Sequence, residues 1–245
     1  MFLVRQREAT VFLVVVLLIV YFGFVNSVGR STFFSKIDLI NLGQIAAPII
    51  IIALGEVLLL ICGEIDLSVG FTYAFVPFLM HFFIDFYGFP GILGIIASLL
   101  CALAIGWVNG FLTVTIGLPS FVTTLGTGFI LGGLILTLAH GEQANVPPKV
   151  LGIGHWIGGY AWAEISWAIV LTIVFHILLR RTRWGLHTIA VGGNLLGAAE
   201  AGVTVARIKY GNFMLCALLG GFVGIQITFQ TAIIDTFSGG AAYQA

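Results

Sequence analysis

Charge is what this sequence has least of. Of its 245 residues only 20 are Asp, Glu, Lys or Arg, or 8% of the chain, where a soluble globular domain carries about a quarter. So few ionised groups cannot solvate a folded body in water, which excludes a soluble fold. The ten basic and ten acidic side chains cancel, so no net field favours nucleic acid or an acidic substrate. Cysteine is sparse too: Cys62, Cys101 and Cys216 lie singly in apolar stretches, without the spacing of a disulfide framework or a metal site. Catalytic signatures are missing. There is no G-x-S-x-G, no H-E-x-x-H and no Walker A motif, and none of the three lysines follows a glycine. His81, His140, His155, His176 and His187 show no metal-type i, i+4 pairing. The residues nominate no catalytic, cofactor-binding or metal-binding side chain, and if ATP drives this protein, another chain binds it.

Hydrocarbon is what is abundant. Apolar residues make up 60% of the chain and the mean hydropathy is +1.13. A helix needs about 20 predominantly apolar residues to cross a bilayer, and the charges and turn clusters divide the chain into about seven such pieces. They fall near 9–28, 39–62, 67–86, 91–115, 120–139, 161–179 and 211–232. The expectation is an all-α, polytopic transmembrane bundle forming a single domain over 1–245, placed in a cell membrane. Arg5 and Arg7 precede the first piece as they would a secretory signal, but no A-x-A cleavage site follows, so it reads as an uncleaved anchor.

Orientation follows from Lys and Arg, which accumulate in cytoplasmic loops. With the amino terminus inside, the inside segments hold Arg5, Arg7, Arg180, Arg181, Arg183, Arg207 and Lys209; the outside segments hold Arg30, Lys36 and Lys149. Seven against three favours a cytoplasmic amino terminus. The segment 180–210 then becomes the largest cytoplasmic loop and a candidate docking surface. With seven spans, Ala245 emerges outside, after the Gly-rich stretch Ser238–Ala242.

Acids inside apolar stretches mark positions that should avoid lipid. Glu56 lies within the second span, and Glu64 and Asp66 follow in the run Gly63-Glu64-Ile65-Asp66-Leu67-Ser68-Val69-Gly70. An ionised acid at mid-bilayer costs about 2.5–3.5 kcal/mol on insertion scales, so it faces a bundle interior or an aqueous cavity. Glu56 either lines a path or ties helices together. In the run itself, Gly63 can end one helix, Asp66 or Ser68 can accept from free N–H groups at the start of the next, and Gly70 can admit another backbone. Such a break at membrane depth needs protein or water around it; otherwise it is an interfacial turn. Gly106/Gly110, Gly128/Gly132 and Gly220/Gly224 are small-xxx-small pairs that permit close helix crossings. Pro119 precedes the fifth span harmlessly, whereas Pro77 should kink or interrupt the third.

In the 180–210 loop, Asn194 is a good N-cap and Leu195 to Ala201 is Ala-rich, which predicts a short helix ending at Gly202. Flanked by glycine hinges, it either transmits a push from a partner or simply connects two spans.

The Gly63–Gly70 run, the stretch Asn109-Gly110 through Leu118-Pro119-Ser120-Phe121-Val122-Thr123-Thr124-Leu125-Gly126, and the loop Ala190–Val203 together resemble the permeases of bacterial ABC importers for simple sugars. The ribose, xylose, arabinose and autoinducer-2 permeases belong to that family, and the resemblance covers about 40–245. It implies a non-enzymatic membrane subunit that pairs with a second permease copy, two cytoplasmic ATP-binding subunits and an external binding protein. By position, Asn194, Ala198, Ala199, Glu200 and Gly202 match the family's ATPase-coupling segment. Asp66, Ser68 and Gly70 match its second-span signature, and Pro119, Phe121 and Thr123 its fifth-span entry; both motifs are implied to shape the translocation path. Glu64 stands where the family's common pattern has a glycine, and Glu56 where it has a neutral residue. Members normally continue with further spans, so the resemblance implies a chain shortened at its carboxyl end. A secondary transporter coupled through Glu56 and Glu64 is the alternative; a membrane enzyme of lipid metabolism would need paired acidic or His-rich sites that are missing, and a scaffold is a further rival.

Overall fold

The computed structural model describes residues 7–24, 35–139 and 142–234. Arg5, Arg30, His140 and the Ser238–Ala242 stretch lie outside the described residues. The chain divides into two compact units, 1–45 and 46–245.

The first unit contains α1 (Arg7–Phe24) and the opening turns of α2 (Lys36–Ile61). From Phe12 to Phe22 the large apolar side chains of α1 are all exposed, as expected of a helix whose solvent is hydrocarbon. Ser35 starts α2: its Oγ accepts from the Asp38 N–H at 3.1 Å and donates to Asp38 Oδ2 at 2.6 Å, a reciprocal cap one turn in.

In the second unit the remainder of α2 is followed by α3 (Val69–His81), α4 (Gly91–Gly110), α5 (Ser120–Ala139), the short α6 (Leu151–Gly154), α7 (Ala161–Arg181), α8 (Arg183–Gly193), α9 (Leu195–Glu200) and α10 (Val205–Thr231). The two-residue strands β1 (Ala144–Asn145) and β2 (Ile233–Ile234) pair antiparallel. Among the described residues six helices are long and apolar enough to cross a membrane: Lys36–Ile61, Val69–Phe86, Gly91–Thr115, Ser120–Ala139, Ala161–Arg181 and Val205–Thr231. In α1 the apolar stretch is shorter, Phe12–Gly23. The all-α polytopic architecture is thus as expected.

Two helix ends use one terminator. Both α3 and α4 widen into a single π turn, Phe82–Phe86 and Phe111–Thr115, whose closing bonds run from Tyr87 N–H to Phe82 O and from Ile116 N–H to Phe111 O. Gly88 (φ +70°) and Gly117 (φ +85°) then reverse the chain. Pro90 and Pro119, just ahead of α4 and α5, need no N–H partner at that position. Pro77 lies inside α3 without interrupting it, and the widening comes a turn later, at Phe82.

α10 is the spine. It is the most buried of the six long helices, while α7 is the least, and a helix buried all round shows no polar face to solvent. The small-residue pairs are where it packs. A Cβ on Gly106 of α4 would sit 2.6 Å from the Met214 Cα of α10, and one on Gly220 would sit 3.1 Å from the Val69 carbonyl oxygen of α3. Gly224 meets the Tyr73 carbonyl, the group to which Pro77, four residues on, cannot donate. The third pair, Gly128/Gly132, clasps the ring of Phe71 instead of a backbone.

Two boundaries differ from expectation. The last span starts at Val205, not near 211, because Lys209 has an acidic partner within the bundle and so does not end the buried stretch. The 180–210 segment is almost entirely helical: α8 fills 183–193, a helix that its glycines and Thr188 hid from the sequence.

Candidate functional site

A cluster of buried polar residues in the second unit forms where α2 breaks. Gly63 ends α2 in a Schellman arrangement: Glu64 N–H donates to Leu59 O at 2.9 Å, Gly63 N–H to Leu60 O at 3.1 Å, and Gly63 adopts φ +75°. The next five residues, Glu64 to Ser68, are non-helical before Val69 opens α3. Their backbone is held by side chains from neighbouring helices. Ile65 N–H donates to Ser120 Oγ (3.3 Å), Asp66 N–H to Glu56 Oε2 (3.4 Å) and Leu67 N–H to Thr124 Oγ1 (3.1 Å).

Asp66 is the centre of this node. Its Oδ1 accepts from Ser68 N–H at 2.9 Å and from the Ser68 hydroxyl, and both its oxygens lie 3.4 Å from Asn109 Nδ2, which also reaches Ser68 Oγ at 2.8 Å. Asp66, Ser68, Asn109 and Thr124 are all essentially inaccessible to solvent. Neither expected acceptor bonds an N–H of α3 itself: Asp66 Oδ1 takes the N–H of Ser68, the residue before α3, while the Ser68 hydroxyl donates to Asp66 and accepts from Asn109 Nδ2.

The break is packed among its neighbouring helices. Its partners Glu56, Asn109 and Thr124 lie four to six residues from the ends of α2, of the Gly91–Thr115 span and of α5, about 6–9 Å along the axes. Non-helical backbone enclosed by a bundle needs acceptors for its free N–H groups, and the Ser120, Thr124 and Glu56 side chains supply them.

Beside the node opens a cavity of about 360 Å³, lined by Glu56, Asp66 and Gly70 among apolar neighbours that include Ile52, Val69 and Phe71. Glu56 is half-buried; its Oε1 accepts from the Cys216 thiol at 3.4 Å. A second cavity, about 200 Å³, lies farther along α3 against α10, with Tyr73, Pro77, Gln143 and Thr228 in its wall. Glu164, which the sequence reading passed over, is a fully buried acid in the first turn of α7.

The expected path residues separate into groups. Glu56, Asp66 and Gly70 share the cavity wall, and Ser68 stands behind it. Glu64 turns away and forms an ion pair with Lys209 of α10, both side chains largely buried. Thr123 is buried on α5, whereas Pro119 and Phe121 are exposed at its start and do not join the node. Close backbone approaches to this end of α3 come at Val69 and Tyr73, from Gly220 and Gly224 of α10. Asn109, Ser120, Thr124, Lys209, Asn212 and Cys216 were not singled out from sequence.

Beyond the break, α8 and α9 pack on the same end of the bundle. Asn194 caps α9, its Oδ1 accepting from Gly197 N–H at 3.0 Å. Gly202 (φ +83°) closes α9 with a second Schellman pair, Val203 N–H to Ala198 O and Gly202 N–H to Ala199 O. Ala198 is buried in a cluster with Cys62, Val191 and Ile208, so of the expected coupling residues only Asn194, Ala199, Glu200 and Gly202 are exposed.

Residues 39–245 match the family described as branched-chain amino acid transport system, permease component. The chain is 35% identical over 231 residues to the xylose/arabinose import permease protein XylH of Sulfolobus acidocaldarius, covering 91% of this chain and 62% of that one. It is 30% identical to the autoinducer 2 import system permease protein LsrC of Escherichia coli, over 97% of this chain and 68% of that one. The LsrC protein of Salmonella choleraesuis is 28% identical over 97% of this chain and 67% of its own. This chain thus spans roughly two thirds of the length of these relatives. No solved structure matches it. Six helices fit to cross a bilayer and a match that runs from Leu39 to Ala245 make this chain a multi-pass membrane protein that belongs to the family of branched-chain amino acid transport system permease components.

Proposed function

We propose that the chain is the membrane-spanning subunit of an ATP-driven importer for a simple sugar or a similar small polar solute. It works with a second permease copy, two cytoplasmic ATP-binding subunits and an external binding protein that delivers the solute. The amino terminus and 180–210 face the cytoplasm, and ATP is bound only by the partner subunits. The observation that carries this reading is the similarity, over 91% of the chain, to a protein named for xylose and arabinose import. The exposed Asn194, Ala199 and Glu200 on a separately capped short helix, α9, supply a surface on which an ATP-binding subunit can seat.

In this reading the Glu56–Asp66 cavity is part of the solute's path, and the binding energies of ATP and its products bias which side is open. Proton or cation coupling through Glu56 and Glu64 has less support: Glu64 is committed to Lys209, and both Glu56 oxygens accept from Asp66 N–H and the Cys216 thiol.

The test is uptake of labelled D-xylose, L-arabinose and D-ribose into proteoliposomes holding the chain with ATP-binding subunits and a binding protein from the same organism that co-purify with it. Uptake that requires ATP and the binding protein is expected. Uptake that follows a proton gradient without ATP would overturn the proposal. Glu200→Lys should abolish co-purification with the ATP-binding subunit; unimpaired assembly would argue against α9 as the seat.

A further inference from the structure

One stripe of α10 touches the end of α2, the first residue after its Gly63 cap, and the cavity wall. Lys209 pairs with Glu64. One turn on, Asn212 Nδ2 reaches Leu58 O (3.3 Å), Cys62 Sγ (3.4 Å) and Thr188 Oγ1 (3.4 Å), while its Oδ1 accepts from Trp184 Nε1 of α8 at 2.9 Å. Another turn on, Cys216 meets Glu56 in the cavity wall. The rows i, i+3 and i+7 lie on one helix face, so a single rod, about 16 Å from Val205 to Cys216, joins the end of α2, the break, α8 and the cavity.

We propose that Lys209 and Asn212 are positioning residues that fasten Glu64 and the last turn of α2 to the first third of α10 and to α8, so that the α2 side of the Glu56–Asp66 cavity moves together with α8 and α10. The inference rests on the transport reading above and names the residues that carry movement to the cavity. A linkage is favoured over plain stability because a buried ion pair is a poor source of stability: apolar side chains of similar volume hold as well or better, and its best-attested use is to fix one register against another.

The test uses the full chain assembled in proteoliposomes with its ATP-binding subunits and binding protein, and four readouts: solute imported per ATP hydrolysed, ATP hydrolysis itself, co-purification, and alkylation of Cys62 by N-ethylmaleimide followed by peptide mass. Neutralising both partners, Glu64→Gln with Lys209→Met, leaves no orphaned charge. It is expected to keep assembly and to keep ATP hydrolysis within about twofold, to cut solute per ATP at least about fivefold, and to raise Cys62 alkylation by a similar factor. The reversed pair, Glu64→Lys with Lys209→Glu, is expected to restore both. Asn212→Ala should act in the same direction as the neutral pair. A neutral pair whose transport ratio and Cys62 alkylation match the parent overturns the proposal, as does a parallel fall in transport and hydrolysis, which a purely structural role would give. If the parent shows no ATP-driven uptake, the transport reading is what fails; the alkylation comparison still decides whether the pair fastens the end of α2.

Discussion

Truncating Asp66 tests whether the break is a built site. In Asp66→Ala the Ser68 N–H loses an acceptor at 2.9 Å, and the Asn109 amide loses both carboxylate oxygens at 3.4 Å, in a site closed to solvent. The Ser68 hydroxyl loses its acceptor as well, while Asn109 Nδ2 keeps Ser68 Oγ at 2.8 Å, so two donors are orphaned, the N–H and the O–H of Ser68. At about 1–3 kcal/mol for each buried unsatisfied group, the loss should be about 2–6 kcal/mol. Asp66→Asn retains an acceptor for Ser68 but sets its own NH₂ against that of Asn109, which should cost about 1–3 kcal/mol. Glu200→Ala, exposed on α9, should stay within about 0.5 kcal/mol of the parent. Unfolding in mixed micelles, followed by a thiol-reactive dye that reports exposure of the buried Cys62 and Cys216, orders the three variants. The double variant with Asn109→Ala should show a coupling of about 0.5–3 kcal/mol. If Asp66→Ala unfolds with Glu200→Ala, or if no coupling to Asn109 is found, the node is not what holds the break.

Three further outcomes follow from packing and capping. Gly106→Val should lower the folded yield sharply, since its Cβ would sit 2.6 Å from Met214 Cα and α4 and α10 would have to part; Gly126→Ala, with open space around the position, should be neutral, and size-exclusion profiles of the two compare them directly. Asn194→Ala removes the α9 cap and should cost about 0.5–2 kcal/mol locally, visible as faster amide exchange over 195–200 with the rest unchanged. Gly63→Ala meets no neighbour but would be strained at φ +75°, so it should lower thermal stability by about 1 kcal/mol without altering expression.

The spans were legible because hydrocarbon length is a one-dimensional property: a run of apolar residues between charges needs no tertiary knowledge. The same rule misplaced the start of α10, since Arg207 and Lys209 look like loop residues until Glu64 is found beside Lys209. Local chemistry was legible as well. Gly63, Asn194 and Gly202 act within a few residues of themselves, and they terminate or cap helices as their types require. The acceptors that replace solvent around Ile65 and Leu67 were not legible. Ser120 and Thr124 lie more than fifty positions away, and a hydroxyl one turn into an apolar helix equally well bonds its own backbone, as Thr124 Oγ1 also does to Ser120 O. The α10 stripe of Lys209, Asn212, Cys216, Gly220 and Gly224 carried a signal at helical spacing that could have been read, but only once Arg207 and Lys209 were counted as part of the span.

The contacts of α10 also set an order of assembly. Asn212 is a polar group in a membrane helix, and Leu58, Cys62, Thr188 and Trp184, which bond it, all precede it in the chain, as does Glu64 for Lys209. Chains are made and folded from the amino terminus. When α10 leaves the ribosome, each partner that makes its polar face tolerable in lipid has already been synthesised, and α10 enters the bilayer against a waiting template.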